Sequence, residues 1–303
     1  MNNFLQDMAV IDAHQHFWDP TRNYHPWLCD KPPIAFRYGD YSALRCPYLP
    51  DKYLRDATGL SIAGTVYIEA EWKPGEALAE MQYVEQLRKS TGYPSVAVAQ
   101  AWLDQPDAAT QLAQLARYSF VRGIRHKPRA NLTPEDTAPG GMADPAWRCG
   151  YAHLAKHGLR FDLQTPWWHL HEATALARDF PGTQIILNHA ALPADRTPAG
   201  LLLWRKAMKQ VAGCPNVALK ISGLGVPGQE WTAQMNREVV LAAIEIFGVD
   251  RCMFASNFPV DSLCGAIDVI FNGFAEIVHD FSRDERRKLF HDNAVRIYEI
   301  YLT

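Results

Sequence analysis

Short apolar runs that end in polar residues alternate along this chain with stretches whose apolar positions recur at helical spacing. The runs fall at 9–17, 63–72, 96–103, 121–128, 159–166, 184–190, 216–224 and 252–259. Helix-period stretches follow at 75–90, 106–118, 143–157, 168–180, 198–212, 230–247 and 262–278, and 282–302 reads as a closing helix. Strands alternating with helices predict a parallel sheet. Eight such units in 303 residues predict one closed (β/α)8 TIM barrel, an α/β fold with a single domain over 1–303. A doubly wound open sheet would usually carry a Gly-rich phosphate turn after its first strand. Here the first run ends in HQHFWDP instead.

One interval breaks the pattern. Residues 18–62 form a connection rich in Pro, Tyr and Trp, with YHPWLCDKPP and CPYLPDKYL inside it. A connection that long is usually functional or carries local structure of its own. After a barrel strand it leaves the C-terminal face, where active sites sit. It is read as a lid, with Trp27 as a substrate contact; an oligomer contact or a packed surface excursion is the alternative.

Strand ends carry the candidate chemistry. Side chains two apart on a strand face the same way, so His14 and His16 project together with Asp12 below them. Two neutral imidazoles suit a divalent metal, zinc first; hydrogen bonding to substrate or backbone without metal is the other reading. Glu69 and Glu71 share a face and need partners if buried. Either is a ligand, a base, a substrate contact or a mate for Arg125. Arg125 and Lys127 share a face and suit a carboxylate or polyhydroxylated acid, or else balance Glu69, Glu71 and Asp162. His189, ending the sixth run, is placed for a ligand or a carbonyl polariser. His171 points either at the pocket or outward from a helix. Lys220 and Ser222 share a face on the seventh run, and the eighth ends in Ser256, Asn257, Phe258 and Pro259.

Composition narrows the class. Hydrophobic residues make up 48% of the chain, enough for a large core. A net charge of −3 without a basic stripe argues against nucleic acid. No apolar run reaches the roughly 20 residues of a membrane helix, and the first residues show no positive head before an apolar stretch. The six cysteines form no CxxC pair and read as reduced thiols. The expectation is a cytoplasmic enzyme acting on a small molecule, with a homo-oligomer left open.

IDAHQHFWDP followed by YHPWL, then GIRH, FDL, NHAALP, KISGL, MFASNFPVD and HDNAVRIY occur in order over nearly the whole chain. Together they resemble the amidohydrolase superfamily, and within it the lactonase-like branch of L-fuconolactonase, L-rhamnonolactonase and 2-pyrone-4,6-dicarboxylate lactonase. The resemblance implies a distorted (β/α)8 barrel and hydrolysis of an ester or lactone, often of a sugar acid. Its HxH motif matches His14 and His16, its strand-six His matches His189, and its strand-four Arg matches Arg125. One departure stands out. The family commonly ends strand eight with Asp in a GSDWP-like sequence, where this chain has Asn257. An amide cannot accept the proton of an attacking water. The base then lies elsewhere, with Asp261, Glu69 and Glu71 as candidates and Asn257 orienting substrate or water; or a metal-bound hydroxide needs little help; or the chain is inactive. Lys127 resembles the carbamylated lysine of two-metal members, but the companion ligands are incomplete, so one divalent metal or none is expected. The implied activity is the opening of a small lactone, probed against a decarboxylase of the same superfamily and a non-catalytic sugar-acid binder.

Overall fold

The computed structural model describes Leu5 and residues 8–301. The first residues, on which the reading of the N-terminus rests, and position 302 at the end of the expected closing helix lie outside them. Eight parallel strands run in chain order: β1 (Ala9–Gln15), β2 (Ser61–Ile68), β3 (Val96–Gln100), β4 (Val121–Arg125), β5 (Arg160–Leu163), β6 (Ile185–Leu187), β7 (Val217–Ile221) and β8 (Cys252–Phe254). Each is shorter than its apolar run, because the polar tail leaves the sheet and builds the rim. The ends meet through the segment after β8: the Asn257 amide donates to His14 O at 2.8 Å and the His16 amide to Phe258 O at 2.7 Å. This is a (β/α)8 barrel in a single domain.

The register of β1 on β2 slips between Asp12 and Gln15, so three steps on one strand match two on the other. A slip of one residue reverses the facing of side chains. Asp12 was expected below the two histidines on their face. Instead it accepts from the Tyr53 hydroxyl at 2.9 Å and from Ser256 Oγ at 2.5 Å.

The opposite end of the barrel is plugged. Ile297 and Tyr298, from the helix Asn293–Tyr298, pack with Ile11, Val66, Ile186, Ala218 and Met253 of the strands. Arg122 and Arg160, near the starts of β4 and β5, donate to the carbonyls of Glu299 and Ile297 and seat that helix. Asp162 of β5 and Lys220 of β7 pair at 2.6 Å, both fully buried, and the Tyr298 hydroxyl donates to the same carboxylate. Lys220 is thereby spent on structure; burial pushes its ammonium down to about 8. The closing segment is not one helix: Arg283–Arg287 and Asn293–Tyr298 flank a π turn, and the chain leaves the helix at Glu299 in a left-handed conformation. Among the described residues no helix is long and apolar enough to cross a membrane.

The connection 18–62 carries structure that its composition hid: the short helices Pro26–Cys29 and Pro50–Asp56 and a 3-10 turn Ser42–Leu44. Trp18 anchors it, its backbone paired with Tyr48 and its indole N–H donating to the Leu44 and Cys46 carbonyls.

Candidate active site

The residues singled out at strand ends converge on one cleft at the C-terminal end of the barrel. An inner chamber of about 280 Å³ is lined by His16, Trp18, Trp27, Phe36, Arg37, Arg125, Lys127, Gln164, His189 and Asn257, among others. An outer chamber of about 290 Å³ adjoins it and shares Trp27, Ile34, Glu71, Arg125 and Lys127 with it. Glu69 lines the outer chamber. His14 lies fully buried, its ring centroid 5.0 Å from that of His16 and 4.6 Å from that of His189. Of the other histidines noted, His171 is on a helix surface, its side chain 67% exposed, away from both chambers.

The three imidazoles differ in what fixes them. His16 Nδ1 lies 2.8 Å from the Ile68 carbonyl, which can only accept, so Nδ1 carries the proton and Nε2 a lone pair. His189 Nδ1 lies 2.9 Å from Ser222 Oγ, a partner that can donate or accept, so either tautomer is available. Neither ring nitrogen of His14 has a hydrogen-bond partner among the described residues. Burial lowers all three imidazoles well below their ordinary value, helped by Lys220 at His14, Arg125 at His16 and Arg37 at His189. The cluster is therefore neutral near pH 7, with lone pairs available.

The backbone is bent to bring these groups in. His189 to Leu192 all have φ between 48° and 56°, and Glu71 and Asn257 have 53° and 56°. Left-handed non-glycine residues cost energy and gather at functional sites; Ala190 and Ala191 keep the turn after β6 free of bulk, and Trp204 Nε1 holds the Ala190 carbonyl at 2.8 Å. Gly223, at φ +61°, is required: a Cβ there would stand 2.6 Å from His189 Nδ1.

The acidic and basic residues are mostly spoken for. Arg125 Nε donates to Glu69 Oε1 at 2.5 Å and its Nη2 to the Glu69 carbonyl, with both side chains buried. Lys127 pairs with Glu71 across the junction of the chambers. Of the three candidate bases, Glu69 and Glu71 thus face cations. Asp261 is not a surface residue but 1% exposed: its Oδ1 accepts from Asn257 Nδ2 at 2.6 Å and from the Tyr38 hydroxyl at 3.0 Å. Burial raises its carboxyl, opposed by Arg37 and these hydrogen bonds. Asn257 in turn stands within hydrogen-bonding reach of the His16 ring.

Arg37 went unrecognised in the sequence. It reaches the inner chamber from the 18–62 connection, lies over the Tyr38 ring at 4.4 Å, and meets Asp261 only at 3.4 Å. No periodicity marks its segment, so no local signal would have found it.

The donor set suits a borderline cation: His14 with two nitrogens unpartnered among the described residues, His16 with a lone pair on Nε2, His189 beside them. As the side chains stand, no three His, Cys, Asp or Glu among the described residues close on a common point at ligand distance. The nitrogens fit a metal in chemistry.

The amidohydrolase family profile matches residues 11–300, and this chain belongs to that family. It is 41% identical over 300 residues to an uncharacterised protein of Sinorhizobium fredii, covering 98% of this chain and 100% of that one. It is 28% identical over 298 residues to an L-fucono-1,5-lactonase of Burkholderia ambifaria, covering 96% and 95%. A crystal structure of an amidohydrolase from Burkholderia multivorans with bound zinc superposes with a TM-score of 0.78 at 24% identity, covering 97% and 100%.

Proposed function

We propose that this protein hydrolyses a small lactone, with the sugar-acid lactones as its substrate class. The observation that carries the reading is the cluster of three neutral, buried imidazoles at the barrel mouth, two of which, His16 and His189, line a chamber in which Arg37 keeps donors to spare. The likeness to lactonases at modest identity supports the ester over other bonds. His189 donates Nε2–H to the lactone carbonyl while the Ser222 hydroxyl donates to its Nδ1, which stabilises the oxyanion as water attacks. Asn257, fixed by Asp261, orients the water against His16, whose Nε2 lone pair takes the proton. His16 returns that proton to the ring oxygen as its bond to the acyl carbon breaks, and a hydroxy acid is released. A divalent cation, zinc by analogy with the related crystal structure, would be held by His14 and His16, with its hold on Nε2 replacing the base role of His16, and would supply carbonyl polarisation and a more acidic water. Arg37 grips the polar edge of the substrate, with Arg125 and Lys127 lending charge from within their ion pairs, and the 18–62 connection roofs the site.

Removal of the His189 ring tests the assignment. Lactone turnover in His189→Ala should fall by at least about a hundredfold, the scale of losing one oxyanion donor. Unchanged turnover in that variant would refute it.

A further inference from the structure

The outer chamber has no part in the chemistry above, yet it is as large as the inner one: about 290 Å³ against 280 Å³. It is walled by three indoles, Trp27, Trp72 and Trp102. Aromatic walls with a few fixed polar groups are the makeup of a ligand site, and here the polar groups are specific. Gln100 is 9% exposed and donates Nε2 to Glu69 at 3.4 Å. A carboxylate only accepts, so the amide nitrogen is turned to Glu69 and Oε1 remains, with no partner among the described residues. The Trp102 indole N–H also lacks one. Buried polar groups are ordinarily satisfied, so each exception calls for an explanation.

His126 adds a donor whose direction is fixed. Its Nδ1 accepts from the Leu103 amide and from Trp147 Nε1, both at 3.0 Å. Two donors on one nitrogen exclude a proton there, so the neutral ring carries its proton on Nε2. That ring also lines the chamber. The side chains that line the chamber thus carry two N–H donors and an amide oxygen beside aromatic faces. Its charges cancel, Arg125 against Glu69 and Lys127 against Glu71, while Asp30 at the wall is acidic. A second carboxylate on the ligand would find no free cation there and one repelling anion. Hydroxyl groups on a ring with apolar C–H faces match the donors, the acceptor and the indoles together.

We propose that the outer chamber is a second subsite that holds a neutral, hydroxylated ring, so that the substrate is a lactone bearing a sugar ring and spans both chambers. This rests on the lactonase reading for the inner chamber but not on any step of its chemistry. The two chambers meet at Trp27, Glu71 and Lys127, so one extended molecule passes between them over the Lys127–Glu71 pair.

The test uses two measurements on the full chain, with matched panels of monosaccharide and disaccharide aldonolactones and their open aldonates. Hydrolysis is followed by proton release, and aldonate binding by calorimetry. For at least one matched pair, kcat/KM and affinity should be about tenfold higher for the disaccharide member. Trp102→Ala should remove that advantage while changing monosaccharide lactone turnover by less than about twofold, and Trp72→Ala provides an independent second variant should the first not fold. If lactones are hydrolysed but no disaccharide gains over its monosaccharide, or if both variants leave the gain intact, the subsite is overturned and the lactonase reading stands. If no lactone is hydrolysed yet disaccharide aldonates bind more tightly through Trp102, the subsite stands and the lactonase reading falls. Preference for an aryl-substituted lactone over the disaccharide one would also overturn it, since an aryl group leaves Gln100, Trp102 and His126 unpartnered.

Discussion

Asn257 Nδ2 donates to Asp261 Oδ1 across 2.6 Å, so a carboxylate stands directly behind the amide at the end of the eighth strand. In the proposed reaction the pair lets Asn257 serve at a position where the amidohydrolase resemblance implies Asp. The amide nitrogen carries two hydrogens, so one can face the carboxylate and the other the Nε2 lone pair of His16, while the amide oxygen is left to accept. Asp261 acts through Asn257 and does not reach the chamber itself.

Asn257→Asp should therefore lower activity, by about tenfold or more. Two carboxylates at this distance cannot both ionise, and one would hold a proton near neutrality. Steady-state kinetics on this variant gives the answer; a large gain in rate would mean that the natural chain merely lacks its base and that Asp261 has no positioning role.

Arg37 is expected to bind substrate and to contribute little to the chemical step. A charge-assisted hydrogen bond is worth about 1.5–3 kcal/mol, so Arg37→Ala should raise KM by roughly ten- to a hundredfold with kcat nearly unchanged. Its one ion pair is long and its side chain 31% exposed, so the melting temperature should hardly move. A fall in kcat with constant KM would place Arg37 in the transition state instead.

The imidazole cluster ties stability to pH. His14, His16 and His189 are lowered well below their ordinary value, so below about pH 6.5 the unfolded chain takes up protons that the native state refuses. Their contribution is complete above that pH and is lost as pH falls, by up to about 1.4 kcal/mol per pH unit for each ring. Glu80, pushed up to about 8 by burial and by Glu69, runs the other way, because the native state keeps its proton. The difference between proteins isolates the effect. Urea unfolding of metal-free wild type should steepen relative to His14→Asn by about one proton between pH 6.5 and 5.5. Equal slopes would show that His14 is already protonated in the fold.

Much of this was legible in the chain. Alternation gave the barrel and its strand order, since runs such as 216–224 sit between helical stretches of fixed period. His16, Arg125, Lys127, His189 and Asn257 were found because barrel chemistry gathers where strands end. Three things were not legible. The slip in β1 turned Asp12 away from the histidines, and a register shift leaves no trace in composition. Arg125 and Lys127 were read as substrate grips or as charge balance, and both are paired with glutamates from the end of β2, two strands away, a choice between partners that only packing decides. Arg37 and the buried position of Asp261 depend on how an aperiodic connection folds back over the rim, a long-range contact between residues more than 200 apart in sequence.

The central claim is that the imidazole cluster opens lactones. Purified protein with zinc, offered aldonolactones beside hydroxylated aromatic carboxylates, should release protons from the lactones and no carbon dioxide from the carboxylates, with the proton release lost in His189→Ala. Carbon dioxide from an aromatic acid with no lactone turned over would contradict it.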